Sequence, residues 1–126
     1  MGILKSLFGG NEQKEVKSNV NWISLNSMDQ IDSIKEQSKS ETILIFKHST
    51  RCGISRMVIK QFEKKFTDDL KDLKVYYLDL LNYRSISDEV GYAFQVRHES
   101  PQLLIIKNGI AVANASHYDI TTIDLM

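Results

Sequence analysis

Short apolar runs at residues 20–25, 42–47 and 75–80 alternate with stretches of helical period, and this alternation restricts the fold most. Parallel strands cannot be joined by tight turns; they need crossovers, usually helical. Ser27 is the N-cap candidate of the first helix, with Met28, Ile31 and Ile34 on its apolar face to about Ser38. Ile54, Val58, Phe62, Phe66 and Leu70 recur every four residues and predict a second helix to about Asp69. Ser87, followed by Val90, Tyr92, Ala93 and Phe94, predicts the third.

The last third of the chain changes pattern. Pro101 precedes an apolar strand at residues 103–106. Asn108-Gly109 is a two-residue hairpin signal, because a type I′ turn needs positive φ at both positions. It joins that strand to residues 110–115. Asp119 is the candidate cap of a final helix at residues 120–126. The order is βαβαβαββα: an α/β chain with a central mixed sheet flanked by helices. This is the order of the thioredoxin fold. Residues 1–18 read as a flexible arm ahead of one domain at 19–126.

At the turn between the second strand and second helix lies Thr50-Arg51-Cys52-Gly53-Ile54-Ser55, with the only cysteine. Thiolate, not thiol, attacks disulfides. The helix start favours the thiolate through unpaired N–H groups and the positive end of the helix dipole. Arg51 is adjacent, His48 four residues upstream, and Ser55 is placed to donate a hydrogen bond to the sulfur. Arg56, one turn on, is placed to meet an anionic ligand. Ser55 stands where a C-x-x-C motif has its second cysteine, so no internal disulfide can form. A mixed disulfide on Cys52 must be resolved by an outside thiol. A lone cysteine is otherwise most often a small buried apolar residue.

Composition narrows the partners. Lys plus Arg and Asp plus Glu are equal at 16 each, which argues against nucleic acid or an anionic membrane. One cysteine suits a reducing compartment and excludes a disulfide scaffold. His48, His98 and His117 lack the paired spacing of a zinc site, so no metal is expected. His98 reads as either pH-sensitive or solvated, and Glu99 as solvated.

Three blocks, Phe46-Lys-His-Ser-Thr-Arg-Cys-Gly-Ile-Ser55, Val96-Arg-His-Glu-Ser-Pro-Gln102 and Ala115-Ser-His-Tyr-Asp-Ile-Thr121, resemble the YtxJ family. These are the monothiol bacilliredoxins of Bacillus-like bacteria. The resemblance spans residues 20–126. It implies a cytoplasmic thiol–disulfide oxidoreductase acting on mixed disulfides between protein cysteines and bacillithiol, a cysteine–glucosamine–malate thiol; a monomer is expected. Cys52 matches the family's nucleophile, with Ser55 beside it. Arg51, Gly53, Ser100 and Pro101 are candidates for holding the small thiol and the client chain. In thioredoxin-like proteins the proline before the fourth strand is cis and faces the cysteine. The residue before it, here Ser100, offers backbone groups to the substrate.

The chain also departs from better-known relatives. Arg51 stands where thioredoxins have Trp, and Phe46 where they bury an acid that serves the resolving step. Gly53-Ile54-Ser55 resembles the Cys-Gly-Phe-Ser motif of monothiol glutaredoxins, which can share an iron–sulfur cluster. Their glutathione-binding Gly-Gly-x-Asp is replaced by Asn114-Ala115-Ser116-His117, which argues against glutathione. Two other readings remain open: an iron–sulfur carrier, and a redox-inert adaptor with a buried Cys52.

Overall fold

The computed structural model describes residues 19–125. The arm expected at residues 1–18 lies outside them. The elements are β1 (Asn21–Ser24), α1 (Asp29–Gln37), β2 (Ile43–His48), α2 (Gly53–Lys64), β3 (Lys74–Asp79), α3 (Arg84–Phe94), β4 (Gln102–Lys107) and β5 (Ile110–Ser116). Short 3₁₀ helices lie at Asp68–Leu70 and His117–Thr121.

The five strands run β1-β3-β2-β4-β5 across one sheet. β3 pairs in parallel with both β1 and β2, as the crossovers require. β4 runs antiparallel to β2, and β5 antiparallel to β4. Side chains alternate faces along a strand. β2 therefore sends Leu44 and Phe46 to one face and Ile43 and Ile45 to the other. The first face packs against Val58 and Phe62 of α2 and against Phe66 just beyond its end. The second packs against Ile31 and Ile34 of α1 and Ile86, Val90 and Phe94 of α3. Phe46 and Phe62 meet with ring centroids 5.1 Å apart. All six residues of β2 are buried, which puts it at the centre of three layers.

The hairpin turns as its sequence predicts, with φ of 53° at Asn108 and 79° at Gly109. Ser38 anchors it from the end of α1. Its carbonyl accepts the Asn108 N–H at 2.7 Å, and its hydroxyl accepts the Gly109 N–H at 2.8 Å.

Three boundaries differ from the sequence expectation. α2 ends at Lys64 rather than near Asp69, because Thr67 is extended and its hydroxyl bonds the Asp69 carboxylate to start a separate 3₁₀ turn. α3 begins at Arg84, three residues before Ser87, which is buried inside the helix instead of capping it. The closing element is a 3₁₀ helix that starts at His117, whose φ is 56°. Asp119 lies within it, and the Asp119 carbonyl accepts the N–H groups of Thr122 and Ile123. Thr121 and Thr122 bond their hydroxyls to the carbonyls of Tyr118 and Asp119, which ends the coil locally.

Candidate active site

Cys52 occupies the N-cap position of α2 with an extended backbone, and α2 starts at Gly53. It is a free, partly exposed thiol rather than a core residue. The turn before it is closed by the Cys52 N–H, which donates to the Ser49 carbonyl at 3.2 Å. The Arg56 N–H then donates to the Cys52 carbonyl at 3.0 Å, the first bond of the helix. Arg51 and Gly53 are exposed beside the thiol. The Arg56 side chain folds back over the turn and donates to the Thr50 carbonyl at 3.1 Å. Its Nη2 lies 3.8 Å from where a Cβ on Gly53 would stand.

Ser55 has different partners from those its spacing suggests. It is fully buried, and its Oγ accepts the Ser49 N–H at 3.1 Å and lies 2.8 Å from His48 Nδ1. No hydrogen bond joins it directly to Cys52 in this reduced form. His48 is 5% exposed and flanked by Tyr77 and Asp79 of β3. Burial pulls its imidazole below the usual 6.5; Asp79 acts upward and Arg56 downward. His48 is thus held neutral and reaches the cysteine turn through Ser55.

The second wall of the site is the loop before β4. Ser100–Pro101 is cis, as expected. Lys47 of β2 pairs with Gln102 of β4, so Pro101 sits at the end of the sheet from which the Cys52 turn leaves. Pro101 is buried, and its carbonyl accepts the His117 N–H at 3.0 Å. Ser100 Oγ is buried without a hydrogen-bond partner. Glu99 is not simply solvated: its carboxylate accepts the Ser116 hydroxyl at 2.6 Å and lies 3.7 Å from His117 Nδ1.

Two buried polar residues that the sequence reading passed over hold this loop. Gln102, 2% exposed, donates to the Arg97 carbonyl at 2.8 Å, and the Glu99 N–H reaches its Oε1 at 3.4 Å. Lys47 has no exposed surface; its Nζ donates to the Ser87 carbonyl at 3.1 Å and lies 3.2 Å from His98 Nδ1. Burial lowers the Lys47 amine from 10.5 to about 8, with Asp88 acting upward. Burial and then Lys47 lower His98 from 6.5, so its Nδ1 accepts from the ammonium. The signal was present: a lysine closes an otherwise apolar buried strand, directly before His48.

Lys47 and His48 are adjacent on β2 and face opposite sides of the sheet. Lys47 braces the Pro101 loop, and His48 braces the Cys52 turn. Around them, Ile54, Met57 and Tyr118 are large apolar side chains left exposed. Among the described residues, no group of three or more His, Cys, Asp or Glu side chains could hold a metal ion. Nor is any helix among them long and apolar enough to cross a membrane.

Known proteins share this fold. One solved structure with a thioredoxin fold is 35% identical with a TM-score of 0.68, over 80% of this chain and 88% of that one. A thioredoxin from Malassezia sympodialis shares the fold at 20% identity and a TM-score of 0.66, over 88% and 91% of the two chains. A thioredoxin from Trypanosoma brucei brucei does so at 14% identity and 0.66, over 88% and 90%. The family described as monothiol bacilliredoxin BrxC matches residues 23–125. The chain therefore belongs to the monothiol bacilliredoxin family, thiol–disulfide oxidoreductases on a thioredoxin fold.

Proposed function

We propose that this protein removes bacillithiol from S-bacillithiolated protein cysteines in the cytoplasm, acting as a monomer. The observation that carries this reading is the placement of a single, partly exposed thiol at the N-terminus of α2, with a buried serine in place of a resolving cysteine. The Cys52 thiolate attacks the bacillithiol sulfur of the mixed disulfide. A new S–S bond forms on Cys52, and the old one breaks with its electron pair on the client sulfur. A second bacillithiol thiolate then attacks the bacillithiol sulfur held by Cys52. Bacillithiol disulfide leaves and Cys52 is free again.

Each site residue has a part in this scheme. The exposed guanidinium of Arg51, together with Arg56, meets the malate carboxylates of the small thiol. Gly53 leaves room over the helix N-terminus for them. Ser100 offers backbone groups to the client chain beside Pro101. Ser55 shapes the turn rather than reacting with the disulfide.

The test is a comparison of two clients that differ only in the attached thiol, bacillithiol or glutathione. The bacillithiol client is expected to be reduced faster, and Cys52→Ser to be inactive on both. Equal rates on the two clients would overturn the assignment of bacillithiol. Retained activity in Cys52→Ser would overturn the mechanism.

A further inference from the structure

Three hydrogen bonds in series connect His48 to the turn that presents Cys52. His48 Nδ1 is 2.8 Å from Ser55 Oγ, which also accepts the Ser49 N–H at 3.1 Å. The Ser49 carbonyl in turn accepts the Cys52 N–H at 3.2 Å. Ser55 is wholly shielded from solvent, so its hydroxyl proton must find a partner within the protein.

A serine hydroxyl has one proton and two acceptor sites. One acceptor site takes the Ser49 N–H. With His48 Nδ1 unprotonated, the Ser55 proton is committed to His48. With Nδ1 protonated, that N–H fills the second acceptor site and the Ser55 proton is released. A buried O–H left without an acceptor is unfavourable. Cys52 stands three residues before Ser55 on the same helix, and its sulfur becomes a strong acceptor once ionised.

We propose that His48 is the proton-holding partner of Cys52 and acts on it through Ser55. Cys52 makes no hydrogen bond to Ser55 in the structure, so the relay requires its S–H to turn onto Ser55 Oγ; the Cys52 proton then passes to Ser55 Oγ as the Ser55 proton passes to His48 Nδ1. This leaves a thiolate hydrogen-bonded by Ser55 and an imidazolium on His48. The thiolate attacks the disulfide sulfur, and the leaving thiolate departs with the electron pair of the broken S–S bond. The leaving thiolate takes a proton from solvent, and the His48 imidazolium returns one to solvent. No net proton is gained or lost.

The surroundings of His48 suit a group that is charged only transiently. Burial and Arg56 on α2 favour the neutral ring. Asp79, its register partner on β3, favours the charged one, and Asp79 Oδ1 is buried without a hydrogen-bond partner. Tyr77 on β3 lies against the ring with centroids 5.6 Å apart. The Lys47 ammonium is on the opposite face of the sheet. His48 is thus a positioning residue, and the proposal requires Cys52 to be the reacting thiol but not that bacillithiol be the substrate.

Alkylation of Cys52 by iodoacetamide isolates the thiol from any disulfide substrate. Rates are measured against pH for the native protein, His48→Gln and Ser55→Ala, while NMR follows the His48 ring titration. The native rate is expected to show a step at the His48 titration. Both variants are expected to lose that step and to react about tenfold more slowly near neutral pH. Capping Cys52 as its methyl disulfide is expected to move the His48 titration in the native protein and not in Ser55→Ala. Should His48→Gln fail to fold, the native and Ser55→Ala proteins decide alone. A Ser55→Ala protein that keeps the native rate and step would overturn the proposal. So would a His48 titration that is unmoved by capping Cys52 in the native protein.

Discussion

Lys47 Nζ lies 3.2 Å from His98 Nδ1 and couples the central strand to the loop that carries Pro101. The lysine is fully buried, and its other hydrogen bond, at 3.1 Å, goes to the Ser87 carbonyl of α3. A charge-assisted bond of this kind contributes about 1.5–3 kcal/mol where it forms. Here it orders a loop rather than a core.

Lys47→Met is therefore expected to raise KM for a protein client by about tenfold, equivalent to ~1.4 kcal/mol of lost loop ordering. Alkylation of Cys52 by a small reagent does not use that loop and is expected to keep its native rate. Steady-state kinetics on a protein client, set beside iodoacetamide labelling, check both outcomes. Equal losses in the two assays would show that Lys47 supports the whole fold rather than the loop.

The same lysine makes stability depend on alkaline pH. Its amine falls from 10.5 to about 8 in the folded protein, chiefly through burial. Between those values the unfolded chain binds the extra proton, so stability rises with pH across that window. The full gap between 10.5 and about 8 corresponds to roughly 3 kcal/mol. Tyr77 acts in the opposite sense above 10.0, because burial raises its phenol. Urea midpoints between pH 8 and pH 9.5, set by those two values, are expected to increase in the native protein and to increase less in Lys47→Met, where only Lys65, also lowered from 10.5 by burial, still acts in that sense.

Ser38 gives a test of the frame rather than the site. Its hydroxyl accepts the Gly109 N–H at 2.8 Å and donates to the Lys35 carbonyl at 2.7 Å, while Ser38 itself is 3% exposed. Ser38→Ala leaves the Gly109 N–H without that acceptor. The expected loss is about 1–2 kcal/mol in urea unfolding, with Cys52 chemistry unchanged.

Most of the architecture was legible because it is written in the alternation of apolar runs with stretches of helical period. Short apolar runs for the strands and apolar residues every third or fourth position for the helices gave the element order, and Asn108-Gly109 gave the hairpin. Cys52 was legible because it stands between a buried strand and a helix start. The connections made across the sheet were not. Ser55 follows Cys52 by three residues, yet its partners His48 and Ser49 are set by how β2 delivers the chain to α2. Lys47 and His98 are 51 residues apart, and only the pairing of β2 with β4 brings them together. The end of α2 was overestimated because Phe66 and Leu70 keep the helical spacing after the backbone has left the helix at Lys64. Packing against the same core preserves the pattern without the helix.

The most direct test of the account is to mix the reduced protein with a bacillithiol-modified client and weigh both intact chains. The predicted result is one bacillithiol transferred to Cys52, with the client returned to its free thiol. Free bacillithiol added next is expected to restore the unmodified mass of the protein. A client that keeps its bacillithiol while Cys52 still reacts with iodoacetamide would contradict the account.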